Sequence, residues 1–126
     1  MDWRGFFLPR INVPTRHRES LSPPHEEDIE RLAELREQGS RLNLPHPIRG
    51  YLVFETEHAA RAAAEQLDKD GYACTVRTAP DGTWITTAVT RLVPTPGAIA
   101  HLRDQLGEIG ATHGGTYRGW DAPPVY

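Results

Sequence analysis

The segment Gly114-Gly-Thr-Tyr-Arg-Gly-Trp120 contains the residue types in this chain that are best suited to molecular recognition. Tyr117 and Trp120 supply large rings that each carry one polar atom, and such rings are enriched at the centres of protein interfaces. Three glycines permit a tightly turning backbone around them: Gly114, Gly115 and Gly119. The composition leaves two roles open, because the rings either form a partner surface or close the end of the core.

The residue patterns of the common enzyme classes are absent from the sequence. It has no glycine-rich phosphate loop, nucleophile elbow, His-Glu-x-x-His pair or Cys-x-x-Cys. Its six histidines form no pair at the short spacing typical of zinc ligands. Cys74 alternates with Tyr72 and Val76, which predicts a small buried side chain rather than a reactive thiol. We therefore expect a protein that is not an enzyme, with no catalytic residues, no metal site and no cofactor.

Two other aromatic residues, Tyr51 and Trp84, indicate a different chemistry, the stacking of RNA bases on an open sheet face. Both are expected on central strands, and the alternation allows both to lie on that face. The strand that contains Trp84 lacks the glycine-aromatic pattern of an RNP1 motif, and a net charge of −3 gives no broad basic surface. Direct binding of nucleic acid is therefore disfavoured overall, although a local basic patch is compatible with the sequence. A single-stranded RNA-binding module is kept as an alternative function, as is a dimeric domain that binds a small ligand.

Periodicity predicts the elements that position these residues. An acidic helix is expected over 25–38, with Ile29, Leu32 and Leu35 on its apolar stripe. The following elements have the order βαββαβ: a strand at 48–54, a helix at 57–70, strands at 72–78 and 83–93, a helix from Pro96 to a stop at Gly110, and a strand at 116–120. This order predicts an α+β, ferredoxin-like sandwich in which both helices cover one face of the sheet.

The chain of 126 residues is expected to form one main domain over 46–126, preceded by a segment over 1–45. That segment combines the acidic helix with a basic N-terminal arm, which has an apolar cluster that includes Trp3, Phe6 and Phe7. We expect the arm to pack on its own domain, on the partner in a homodimer, or on another protein. No apolar run approaches the ~20 residues of a membrane span, and no signal peptide is evident. We therefore expect a cytoplasmic protein.

Several motifs between Leu44 and Val125 occur together in one known family. They are Gly50-Tyr-Leu-Val-Phe54, Ala63 to Leu67 before Asp70-Gly-Tyr72, Trp84, Pro94-Thr95 and, most specifically, Gly114-Gly-Thr-Tyr-Arg-Gly-Trp120. This block resembles the regulator of ribonuclease activity B family, the protein inhibitors of ribonuclease E. The family tail usually reads Gly-Gly-x-Tyr-Asp-Gly-Trp, so Arg118 replaces an aspartate.

The resemblance implies a ferredoxin-like fold and a non-catalytic bacterial protein that binds a ribonuclease E-type enzyme and so modulates RNA decay. It also implies that the partner-binding residues lie in the tail motif: Gly114, Gly115, Tyr117, Arg118, Gly119 and Trp120. In this interpretation Tyr117 and Trp120 are anchors, Arg118 sets partner preference, and the acidic helix supplies complementary charge.

Overall fold

The structure is a computed structural model that describes residues 24–126; the N-terminal arm that was predicted from the sequence lies outside the described residues. Three helices and four strands occur in the following order along the chain: α1 (Glu26–Glu37), β1 (His46–Phe54), α2 (Glu57–Lys69), β2 (Ala73–Thr78), β3 (Trp84–Leu92), α3 (Pro96–Thr112) and β4 (Thr116–Asp121).

The four strands form one antiparallel sheet with the order β2-β3-β1-β4. Helices α2 and α3 pack on one face of this sheet. Strand β1 is central and points Ile48, Leu52 and Phe54 into the core under the helices, where each is at most 1% exposed. Thr86 on β3 is also buried, and its hydroxyl donates to the carbonyl oxygen of Ala60 on α2 at 2.8 Å. The α+β, ferredoxin-like prediction is confirmed.

Each helix ends in a glycine with positive φ, at Gly39, Gly71 and Gly114. In all three cases the two backbone bonds of a Schellman motif close the last turn. The predicted stop of α3 at Gly110 is wrong, because α3 continues to Thr112. Gly110 is required for another reason: a Cβ there would lie 3.2 Å from Leu52 Cδ2, so the missing side chain lets α3 approach the sheet.

Helix α1 packs against α3, beside the core of the sandwich. Leu32 and Leu35 are buried as expected, but Ile29 is 49% exposed. The buried residue in the first turn of α1 is instead Asp28, at 2% exposure. The predicted apolar stripe is therefore wrong at its first position, because a carboxylate with specific partners replaces the apolar contact. Within residues 24–126, none of the helices combines the length and the apolar character needed to cross a membrane.

Candidate partner-binding site

The tail motif forms edge strand β4, which contains a bulge. Tyr117 pairs with Leu52 and Trp120 pairs with Gly50, so three steps along β4 match two steps along β1. Gly119, with φ of +106°, provides the positive backbone angle at this irregularity. Because residues paired across strands share a face of the sheet, the bulge places both Tyr117 and Trp120 on the helix-covered side.

Trp120 is buried, with 3% of its surface exposed. Its indole Nε1 donates a hydrogen bond to Asp28 Oδ1 at 3.0 Å, which joins β4 to α1. The Arg31 guanidinium lies 5.9 Å from the centroid of the ring. A ring with this burial stabilises the contact between α1 and β4, and it is not accessible to a partner in this conformation.

Tyr117 packs against the core and is partly buried. Its hydroxyl is enclosed by protein, has no hydrogen-bond partner within the described part of the chain, and has its pKa raised by burial. The Arg103 guanidinium lies 5.3 Å from the centroid of the Tyr117 ring, which is within the range of a cation–π contact. The ring thus closes the core beside α3.

Asp28 and Arg103 form the polar centre of this region. Arg103 on α3 donates from Nε to Asp28 Oδ2 at 3.1 Å and from Nη2 to Oδ1 at 2.9 Å. The hydrogen bond to Asp28 is the main reason that the pKa of Arg103 is raised. Together with Trp120, these residues connect α1, α3 and β4. Neither Asp28 nor Arg103 was identified from the sequence as a site residue. In the sequence, Asp28 has the pattern of an ordinary acidic residue in the first turn of a helix. The one indication of a buried acceptor was the tail tryptophan, whose indole N–H needs a hydrogen-bond partner when it is buried.

The paired glycines before β4 have separate structural roles. Gly114 adopts φ of +79° at the end of α3. A Cβ on Gly115 would lie 2.4 Å from the Phe54 ring and 2.7 Å from the Val53 carbonyl oxygen, so no larger residue fits without a shift of the strand. The composition of the tail motif left two roles open for its rings. The burial of both rings favours the role of closing the core over direct contact with a partner.

A groove of about 390 Å³ runs between α1 and β4, above the Asp28–Trp120 contact. Its α1 wall presents three exposed carboxylates at helical spacing, on Glu27, Glu30 and Glu34. Its β4 wall presents Arg118, which is exposed, and Asp121. In all, five carboxylates and three arginines line the groove, the arginines being Arg31, Arg103 and Arg118, so its lining is predominantly acidic. Arg118 is the exposed charged side chain of the tail motif.

The two aromatic residues considered for RNA stacking do not share a face. Tyr51 is partly exposed on the open face of the sheet, and its hydroxyl donates to Asp121 Oδ2 at 2.9 Å. Trp84 pairs with Phe54, whose side chain is in the core, so Trp84 lies on the helix-covered side and packs against the core. The arrangement that the alternation allowed, with both rings on the open face, does not occur, because the register of β3 places Trp84 on the helix-covered side.

A family model described as regulator of ribonuclease activity B matches residues 25–122. The chain belongs to this family. The match covers nearly all the residues that the structure describes, and it begins at α1, whereas the sequence motifs indicated only residues 44–125. The match to the regulator of ribonuclease activity B family thus includes α1, and both Asp28 and Trp120 lie inside it. No curated protein sequence matches this chain at a significant level.

Membership in the regulator of ribonuclease activity B family indicates a regulatory, inhibitor-type protein. Among residues 24–126, no three His, Cys, Asp or Glu side chains are grouped closely enough to hold a metal ion. The polar groups of the site join α1, α3 and β4 and give the groove its charge. The arrangement can bind a charged partner across the groove between α1 and β4.

Proposed function

We propose that this protein is a non-catalytic inhibitor that binds a ribonuclease E-type enzyme in the bacterial cytoplasm and slows its cleavage of RNA. The observation that carries the proposal is the family match over residues 25–122, which spans α1 and the complete sandwich. The inhibitor acts by occupying a surface of the enzyme, so its own chemistry is limited to binding.

The docking surface in this proposal is the groove between α1 and β4. Glu30 and Glu34 are exposed along α1 and form no ion pair within the described residues, so their charge is available to a partner. Glu27 is 84% exposed and makes only a long contact of 3.5 Å with Arg103. Three carboxylates on one stripe fit a lysine- or arginine-rich segment, and such complementarity mainly sets association rate and specificity.

Arg118 gives this surface its particular charge. It lies on the β4 wall of the groove, opposite the carboxylates of α1, at the position where the family tail usually has aspartate. A partner segment that fits this groove therefore needs basic groups facing α1 and a neutral or acidic group facing Arg118. The arginine acts as a selectivity element, because a like charge next to it is repelled.

The buried rings support this surface from beneath. Trp120 fixes α1 against β4 through Asp28, and Tyr117 packs under the same edge. In the proposal these residues hold the two walls of the groove at a fixed separation. A change at Trp120 then weakens partner binding together with stability, whereas a change at Arg118 alters partner preference without a loss of stability.

The experiment that tests the proposal is cleavage of a labelled RNA by ribonuclease E from the same organism, with and without the full chain. Slower cleavage in proportion to added protein is expected. The charge reversal Glu30→Lys/Glu34→Lys should abolish the inhibition. The matched control is Glu55→Lys/Glu65→Lys, which changes two exposed carboxylates outside the groove and should inhibit as the wild type does.

Two results would contradict the proposal. Unchanged cleavage at a large excess of folded protein would show that the enzyme is not the partner. Equal loss of inhibition in both charge-reversed variants would show that the groove has no special role and that inhibition depends on overall charge. Circular dichroism of each variant establishes that it is folded before either result is interpreted.

A further inference from the structure

The face of the sheet opposite α2 and α3 is not covered by a helix within residues 24–126. Its centre consists of side chains from β1 and β3, where Tyr51 pairs with Thr87 and Val53 pairs with Ile85. All four are partly exposed, as is Val89. The hydroxyl of Tyr51 is bound to Asp121 on the neighbouring strand, which holds the ring across the surface of the sheet. Within the described residues, this centre is partly apolar and partly exposed.

Four arginines surround this centre, one from each strand: Arg77 on β2, Arg91 on β3, Arg49 on β1 and Arg118 on β4. Since neighbouring strands lie ~4.8 Å apart, the four positions extend over about 14 Å across the strands. Along the strands they extend over about 20 Å, because Arg77 pairs with Ile85, six residues from Arg91 on β3. Arg49 is engaged with Asp121, from Nε to Oδ1 at 2.6 Å. The other three form no ion pair within the described residues, so their guanidinium groups are available to an external anion.

The net charge of −3 therefore conceals two surfaces of opposite sign. Carboxylates are concentrated along α1 and its groove, and arginines surround the open face. A ligand with repeated negative charge is attracted to the second surface and repelled from the first. The net charge of the whole sequence argued against nucleic-acid binding, because it sums the charges of both surfaces.

We propose that the open sheet face binds single-stranded RNA, in addition to the proposed binding of a ribonuclease; Tyr51 and Arg118 border both surfaces. Arg77, Arg91 and Arg118 contact backbone phosphates, and the Tyr51 ring stacks on one base, a combination typical of single-strand binding surfaces. RNA fits this face better than an acidic protein segment does, because a base can stack on the Tyr51 ring, whereas a carboxylate side chain does not use that surface. Trp84 has no part in this surface, since it faces α2.

The test is fluorescence anisotropy of a labelled single-stranded RNA of about 12 nucleotides, titrated with the full chain in the absence of any ribonuclease. Three unpaired arginines predict a slope of log affinity against log salt concentration of about −2, since each phosphate contact on a single strand contributes about −0.7. Arg77→Glu/Arg91→Glu should reduce the slope toward about −0.7 and weaken binding at about 50 mM salt by at least about tenfold. Arg118 is left intact in this variant because it also borders the groove.

Stacking is tested separately at Tyr51. Tyr51→Ala should weaken binding by at least about fivefold with little change in the salt slope, and Tyr51→Phe, which retains the ring, should bind like the wild type. The matched charge control is Arg41→Glu/Lys69→Glu, because both residues are exposed and neither is on the open face. This control should stay within about twofold of the wild-type affinity.

Several outcomes would overturn the inference. The proposal is wrong if the wild type shows no anisotropy change at low salt, or if Arg77→Glu/Arg91→Glu binds RNA as the wild type does. Binding of labelled polyglutamate through Arg77 and Arg91, without binding of RNA, would assign the face to an acidic protein segment instead. None of these results depends on inhibition of the ribonuclease, so the two proposals stand or fall separately.

Discussion

Replacement of Asp28 by alanine tests whether the polar centre beneath the groove holds α1 in place. The substitution removes the acceptor for two bonds from Arg103 and for one from the Trp120 indole. Removing one partner of a buried ion pair costs ~3–5 kcal/mol. Since the Arg103 side chain is 18% exposed and so keeps some hydration, we expect a loss at the lower end, about 3 kcal/mol.

The assay is urea unfolding followed by circular dichroism. With a dependence on urea of about 1.5 kcal/mol per M for a domain of this size, Asp28→Ala should lower the midpoint by about 2 M. The Trp120 indole N–H resonance should also shift, because the hydrogen bond to Asp28 is lost. A midpoint within about 0.5 M of the wild type, with an unchanged indole resonance, would refute the role assigned to Asp28.

Two further variants separate the ion pair from general effects on α1. Glu30→Ala removes an exposed carboxylate from the same helix and should change stability by no more than about 0.5 kcal/mol. Asp28→Ala/Arg103→Met should be more stable than Asp28→Ala alone, because it removes the guanidinium that the single substitution leaves without its partner. If the double variant is as unstable as the sum of the single variants, the two residues do not act as a pair.

Three other predictions concern groups with unusual burial. Tyr117→Phe should raise the free energy of unfolding by about 1 kcal/mol, measured by urea unfolding, because it removes a buried hydroxyl without a partner in the described structure; a clear loss of stability would contradict this. Burial raises the pKa of Tyr72 to about 12, so its contribution to stability is intact below about pH 10 and is lost toward about pH 12. The free energy of unfolding of Tyr72→Phe should therefore fall less steeply with pH over that range than that of the wild type. Equal slopes for the two proteins would count against a raised pKa of Tyr72. Burial also raises the pKa of the Cys74 thiol to about 11, so alkylation at pH 8 should be about a hundredfold slower in the folded chain than in urea; equal rates would show an accessible thiolate.

The regular elements were predictable because local patterns determine them. Alternation along β1 correctly placed Ile48 and Leu52 on one face and Tyr51 on the other. The Thr56 and Thr95 caps and the glycines that end α1 and α2 also follow from short-range chemistry, since each needs only its own neighbours. Once these elements were known, their βαββαβ order was sufficient to predict the ferredoxin-like sheet.

Features that depend on distant contacts were missed. Asp28 replaces Ile29 as the buried residue in the first turn of α1 because Arg103 and Trp120, both far along the chain, supply its partners. The face of Trp84 depends on where β3 begins, and a shift of one residue in that boundary reverses it. In the tail, the type of each ring was evident, but its burial depended on the bulge at Gly119.

The bulge in β4 also separates what the tail motif must keep from what it is free to vary. Tyr117 and Trp120 lie three positions apart, a spacing that places residues on opposite faces of a regular strand. Both point inward because the bulge accommodates one extra residue between them. At this spacing the bulge is therefore required to bury both rings, whereas the side chain at position 118 is exposed and is not constrained by the core. The charge at this one position can therefore change without any change in the buried contacts of the domain.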